Sequence, residues 1–256
     1  MRRLPTLALV SLVFGVACAP GSAGNSSNAQ PQQPGDVARL GARPGTPTRT
    51  GKLGLNPIGL SADRDGLVFV PFSYDASRPM PLVLMLHGAG GTSRGAIRPF
   101  LAHADSAGVI LVAPESRAET WDLMLGRFGP DVAFIDRVLR DVFSRFAVDR
   151  RRVAIEGFSD GASYALSLGI MNGDLFSSIT AFSPGLMRFS EKRGMPRIFI
   201  AHGTEDQVLH IERASRRLVP TLAAQGYDVE YHEFTGQHAV PDSLAQLALE
   251  RIRRPR

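Results

Sequence analysis

Three side chains that could act together on an acyl group sit far apart in the chain: Ser159, Asp206 and His238. Ser159 is the centre of Gly157-Phe158-Ser159-Asp160-Gly161, a G-x-S-x-G run. A serine hydroxyl is a weak nucleophile until a neutral imidazole takes its proton, and a carboxylate behind the ring fixes its tautomer and stabilises the imidazolium. His238, after Gly236-Gln237, offers the imidazole, and Asp206, ending His202-Gly203-Thr204-Glu205-Asp206, offers the carboxylate. Glu205 is an alternative acid, one residue earlier. Taken alone, Ser159 could equally be a helix N-cap. The other histidines suit the base less well: His103 falls on a predicted helix, His210 at a predicted helix start, and His232 inside a predicted strand.

Acyl transfer also needs donors for the negative charge of a tetrahedral intermediate. The residue after a nucleophile on such a turn, here Asp160, supplies one backbone N–H, and a Gly-rich turn after another strand supplies the second. The run His87-Gly88-Ala89-Gly90-Gly91 is a turn of that kind. A Gly-rich loop can also cradle phosphate, but neither a P-loop Lys-Ser/Thr nor a G-x-G-x-x-G pattern is present. His87 is expected to shape this turn rather than to act as base.

The elements that must position these groups follow from hydrophobic periodicity. Short apolar runs at Leu67–Phe72, Leu82–Leu86, Val109–Ala113, Val153–Glu156, Ser178–Phe182, Ile198–Ala201 and Val229–Phe234 read as strands, several of them apolar on both faces. Helical spacing fills residues 130–146, with Pro130 and Asp131 suited to the first turn, and Asp160–Met171, Ile211–Ala224 and Ser243–Ile252. This alternation predicts an α/β fold, a mostly parallel sheet between two layers of helices. Reactive groups in such sheets lie at the carboxyl ends of strands. All four motifs fall there, in the order Ser, acid, His. Trp121 lies in the connection between the strand at 109–113 and the helix at 130. It could line a substrate pocket, or simply pack against the sheet edge.

Together these segments resemble the phospholipase/carboxylesterase group of α/β-hydrolases, which includes acyl-protein thioesterases and bacterial esterases. The likeness rests on 81–91, Gly157–Gly161, His202–Asp206 and Gly236–His238, and it covers about residues 65–255. It implies an α/β-hydrolase fold with a minimal lid, a triad of Ser159, Asp206 and His238, oxyanion donors at Ala89 and Asp160, and hydrolysis of carboxylic esters or thioesters without a metal or cofactor. Members of the group often carry Gln and two glycines after the nucleophile. Here Asp160-Gly161-Ala162 stands instead, and a carboxylate beside the nucleophile would disfavour anionic substrates.

The chain has 256 residues, 44% of them hydrophobic and 21% charged, which suits one large soluble domain. The net charge of +5 comes with no nucleic-acid motif, so it reads as a solvated, Arg-rich surface. Residues 1–18 read as a signal peptide: Arg2 and Arg3, an apolar run from Leu7 to Val16, then small residues around Cys18, the sole cysteine. The pattern resembles a bacterial lipoprotein signal in which Cys18 is lipidated, although Gly15 stands where Leu is usual. Ordinary cleavage, as after Ala23, is the alternative. Residues 19–50, rich in Gly, Ser, Asn, Gln and Pro, read as a disordered tether, which leaves 51–256 as the domain. The expectation is an exported serine esterase acting on small-molecule esters, anchored to a membrane through Cys18 or free in the periplasm or medium. The alternatives are a thioesterase, peptidase or polyester depolymerase on the same fold, or a non-catalytic surface-binding lipoprotein.

Overall fold

Runs of Val, Ile, Leu and Phe too short for helices alternate with amphipathic segments three to four turns long, and the chain resolves them into a three-layer structure. The computed structural model describes residues 38–253. Its strands are β1 (Gly54–Pro57), β2 (Gly66–Val70), β3 (Met80–Leu86), β4 (Ile110–Pro114), β5 (Val148–Phe158), β6 (Ser178–Phe182), β7 (Arg197–Gly203) and β8 (Val229–Phe234). Its helices are α1 (Ser93–Ala107), α2 (Pro130–Arg145), α3 (Asp160–Met171), α4 (Ser215–Ala224) and α5 (Asp242–Arg253). The strands form one sheet in the order β1-β2-β4-β3-β5-β6-β7-β8. β1 and β2 are antiparallel to their neighbours, and from β4 to β8 all pairs are parallel.

α1 and α5 cover one face through Ile97, Phe100, Ala104, Ala245, Ala248 and Leu249, while α2, α3 and α4 cover the other through residues such as Phe134, Val138, Leu166, Ile170 and Leu222. With both faces covered, the central strands are apolar at nearly every position, as the sequence suggested. The chain winds from β3 outward to β4, then returns to place β5 on the other side of β3. The crevice at this reversal, outside the carboxyl ends of β3 and β5, is where open α/β sheets bind ligands.

Several boundaries differ from the sequence-based expectation. β5 runs well beyond Val153–Glu156, and 211–224 divides into a single 3₁₀ turn, Ile211–Arg213, followed by α4. The tether reading of 19–50 does not hold for its last third. Ala38, Leu40, Ala42 and Pro44 alternate as buried residues along an extended strap laid over α2 and α3. Asn172 accepts from the Leu40 N–H and donates to the Ala38 carbonyl, and Asp136 accepts from the Gly41 and Ala42 N–H groups at 2.7 Å. Arg39 and Arg43 both pair with Asp174, whose carboxyl is held down at about 2, chiefly by the Arg39 hydrogen bond. Small residues mask this docking in composition. Their period of two is its only sequence signal. The signal peptide, Cys18 and residues 19–37 lie outside the described residues.

Candidate active site

The turn from β5 into α3 carries Ser159. Its backbone takes φ 57° and ψ −119°, a conformation that non-glycine residues rarely adopt. Such strain costs on the order of 1–3 kcal/mol and persists only where the surroundings enforce it. They do so here by close packing. A Cβ on Gly157 would fall on the backbone of Gly161, and one on Gly161 would meet the carbonyl oxygens of Leu86 and His87. Glycine at both positions lets strand, helix and the β3 loop converge. The Ser159 N–H donates to the Phe182 carbonyl at 2.9 Å, which ties the turn to β6. Ser159 is 8% exposed, in the crevice between β3 and β5.

β7 and β8 deliver the other two groups. Asp206 is buried, while Glu205 beside it is exposed. Asp206 Oδ1 accepts from the N–H groups of Val208 and Leu209, and Oδ2 accepts from His238 Nδ1 at 2.6 Å. Burial works to raise this carboxyl, but the His238 hydrogen bond and charge and the backbone donors prevail, so its pKa lies below the ordinary value. The structure therefore brings Asp206, not Glu205, to the imidazole. With Nδ1 donating to Asp206, His238 presents Nε2 as a proton acceptor. Its ring lies against Phe158, centroids 4.6 Å apart, which sets the imidazole next to the Ser159 turn. No hydrogen bond joins Ser159 Oγ to His238 among the described residues. Such contacts commonly tighten only when substrate fills the site.

A second imidazole supports the acid. His202, fully buried, donates from Nε2 to the Leu209 carbonyl at 2.7 Å, lies 3.2 Å from Asp206 Oδ2, and accepts at Nδ1 from the Ser215 hydroxyl. Burial lowers its pKa and keeps it neutral. The sequence placed His202 in the Asp206 motif but assigned it no role.

The loop after β3 forms the facing wall of the candidate site. The Ser116 N–H donates to His87 Nε2 at 3.0 Å, which leaves Nδ1–H to donate to the Gly88 carbonyl at 2.7 Å. This fixes one neutral tautomer, and burial lowers the His87 pKa accordingly. His87 thus shapes the turn, as expected from its position. The N–H groups of Gly90 and Gly91 are taken by Glu119 and Gly88 carbonyls, whereas those of Ala89 and Asp160 meet no acceptor among the described turn and loop hydrogen bonds. A Cβ on Gly88 would sit 3.3 Å from Ser159 Cβ, so this loop abuts the nucleophile. The Asp160 carboxylate accepts from Thr120 Oγ1 at 2.7 Å.

Trp121 does not line a pocket. It is fully buried between His87 and Tyr164, at centroid distances of 5.0 and 5.2 Å, and its indole N–H donates to the His87 carbonyl at 2.8 Å. Its polar atom is satisfied internally, so its role is to brace the β3 loop from below. Next to it, Asp122 and Asp131 each accept a backbone N–H of the other, joining the 3₁₀ turn Asp122–Leu125 to the start of α2. Burial pushes Asp131 up to about 6, and raises Asp122 as well.

A cavity of about 240 Å³ opens beside the nucleophile, lined by the 87–92 loop, the first turns of α1, Glu156, Phe158 and Val240. No group of three or more His, Cys, Asp or Glu able to hold a metal occurs among the described residues.

Comparison with known proteins fits this geometry. Residues 131–254 match the phospholipase/carboxylesterase family. A probable feruloyl esterase C of Aspergillus flavus is 28% identical over 163 residues, 60% of this chain and 59% of that one. The feruloyl esterase C of Emericella nidulans is 29% identical over 167 residues, 62% of this chain and 60% of that one. The chain thus spans about three-fifths of the length of these curated relatives. Among solved structures, a phospholipase/carboxylesterase from Dyadobacter fermentans superposes with a TM-score of 0.55 at 19% identity, covering 80% of this chain and 98% of that one. A ferulic acid esterase from Anaeromyces mucronatus superposes with a TM-score of 0.56 at 21% identity, covering 75% and 84%. These likenesses establish the fold. Over residues 131–254 the chain is similar to the phospholipase/carboxylesterase family, and it carries an α/β-hydrolase fold.

Proposed function

We propose that the protein is a serine hydrolase of carboxylic esters, with Ser159 as nucleophile, His238 as base, Asp206 as the group that orients it, and the Ala89 and Asp160 N–H groups as oxyanion donors. The observation that carries this reading is the 2.6 Å bond from His238 to a buried Asp206, on a ring held against the residue preceding a strained Ser159. In the reaction, the Ser159 proton passes to His238 Nε2 as Oγ bonds to the ester carbonyl carbon. The carbonyl oxygen becomes an oxyanion between the two backbone donors. The imidazolium then protonates the departing alkoxide, and a water deprotonated by His238 releases the acid and restores the hydroxyl. No step calls for a metal or cofactor.

Relatives named feruloyl esterases favour esters of aromatic acids among the possible substrates. Thioester, amide and polyester cleavage use the same triad and are separated from ester cleavage by a substrate panel. The first test is hydrolysis of p-nitrophenyl acetate by the wild type and by Ser159→Ala. The wild type turns over and the variant does not. A wild type as inert as the variant would remove the proposal.

Export rests on the Arg2-Arg3 and Leu7–Val16 pattern, and anchoring on Cys18. In a bacterial host, Cys18→Ala moves the protein from the membrane to the soluble fraction. Equal membrane retention of both forms would exclude a lipid anchor while leaving the enzyme reading untouched.

A further inference from the structure

The wall of the cavity beside Ser159 contains a carboxyl group without a partner. Glu156 lies in β5, three residues before the nucleophile, in the strand whose last residues form the turn. Ala154 and Phe158, two positions either side of it, pack with α1 and α5, so its side chain projects into that layer. Its sheet neighbours are Met85 and Thr180. It is 3% exposed, no hydrogen bond holds its carboxyl among the described residues, and its oxygens open onto the cavity. The rest of the lining is mostly hydrocarbon, from Leu86, Ala96, Pro99, Phe100, Phe158 and Val240, with His87, Thr92 and the Gly-rich loop along one side.

A buried polar group with no partner destabilises the fold, and native proteins keep few of them. Those that persist in defiance of local preference concentrate at functional sites. The adjacent strand positions on this face of β5, Ala154 and Phe158, are apolar, so a leucine would serve packing better. Burial pushes the Glu156 carboxyl well above its ordinary range, which favours the neutral acid. A neutral carboxylic acid donates one hydrogen bond and accepts another. That pairing matches an alcohol or phenol hydroxyl, and it does not suit an anion or a purely hydrocarbon group. The space is also right: an apolar cavity of roughly 150 Å³ holds a benzene ring, and this one is about 240 Å³.

We propose that the cavity receives one arm of the substrate, a single ring or short apolar chain, and that Glu156 selects arms bearing a hydroxyl by hydrogen bonding to it. This specificity role rests on the ester-hydrolase reading for its reaction, but the binding itself does not. The lining joins the loop after β3 (Gly88, Ala89) to Phe158, the residue before Ser159, and to Val240 of the His238 loop, so an ester carbonyl at Ser159 has its neighbouring group at the cavity mouth. A site built to pair a hydroxyl discriminates strongly against the analogue that lacks it, because its own polar group is then left unpaired.

The test compares the wild type with Glu156→Leu and Glu156→Gln. Calorimetric titration measures binding of 4-ethylphenol and of ethylbenzene. Hydrolysis is followed for two matched pairs: methyl 3-phenylpropanoate against its 4-hydroxyphenyl analogue, and 2-phenylethyl acetate against its 4-hydroxyphenyl analogue. The first pair carries the hydroxyl on the acyl arm and the second on the alcohol arm, so they identify which arm enters. The wild type binds 4-ethylphenol at least tenfold tighter than ethylbenzene and shows a similar kcat/KM preference within one pair. Glu156→Leu has a raised Tm and loses the preference, read as the ratio of kcat/KM within a pair, and Glu156→Gln keeps part of it. A wild type that hydrolyses p-nitrophenyl acetate yet treats both partners of each pair and both ligands alike overturns this proposal alone. A preference for 4-ethylphenol that survives in Glu156→Leu also overturns it. A Glu156-dependent preference for 4-ethylphenol without any ester hydrolysis upholds the binding site and overturns the reaction.

Discussion

Asp206 holds two imidazoles at once, His238 by a 2.6 Å bond and His202 at 3.2 Å, while two backbone N–H groups fill its other oxygen. Its charge is therefore stabilised from several sides, and a single change there removes both the orientation of His238 and the countercharge for its protonated form. Asp206→Asn should lower kcat on the order of 10⁴-fold with little change in KM, as loss of the orienting acid does in serine triads. His202 touches no substrate and acts through Asp206 and Leu209. His202→Ala should lower kcat by about 10²-fold or less, the scale of a sub-ångström to ångström displacement of a catalytic group. Steady-state kinetics on p-nitrophenyl acetate checks both. A His202→Ala enzyme worse than Asp206→Asn would mean that His202, not Asp206, governs the base.

The elements earn their arrangement through close backbone approach, and this is where substitution should be least tolerated. Gly161→Ala places a methyl against the Leu86 and His87 carbonyls, which cannot move without shifting the loop after β3. It should destabilise the fold by about 1–3 kcal/mol and depress kcat as well, measured by urea denaturation alongside activity. The strap is a second such element. Leu40 is buried against the α2–α3 layer, and Leu40→Ala should cost about 2–5 kcal/mol with kcat unchanged in the folded enzyme, because the strap binds the C-terminal end of α3, the end away from Ser159. The sequence made the sheet legible because its central strands are covered on both faces, and it marked a candidate site because each motif stands at a strand's end. It hid whatever depends on contacts between distant residues. Trp121 could not be placed, since only the fold shows His87 and Tyr164 enclosing it. The strap looked like tether because Ala38, Ala42 and Pro44 bury little area individually and reveal themselves only in alternation. Glu156 drew no attention because one acid in an apolar strand is unremarkable until its lack of a partner is seen.

For the molecule as a whole, buried titratable groups tie stability to pH in opposite senses. His87 and His202 have pKa values lowered by burial, so the unfolded chain binds protons that the folded one refuses, and acidification below their ordinary value near 6.5 weakens the fold. Asp131 works the other way. Its folded value is about 6 against an ordinary 3.8, so between those limits the folded state keeps a proton that the unfolded chain has lost, and stability falls as pH rises through that window. Comparing Asp131→Asn with the wild type isolates this term: the variant should gain stability relative to the wild type from pH 4 to pH 7 and then level off. A stability difference independent of pH would show that folding leaves the Asp131 carboxyl unshifted.

The central claim is that one serine, set by its strained turn beside an Asp206-held imidazole, is the reacting atom. The most direct measurement is the site and rate of labelling by a fluorophosphonate, read by mass spectrometry of the digested protein. The account predicts one adduct, on Ser159, formed by the wild type and slowed at least a thousandfold, an order-of-magnitude figure for loss of the base, in a folded His238→Ala variant. An adduct on another residue, or labelling of Ser159 at the same rate without the imidazole, would contradict it.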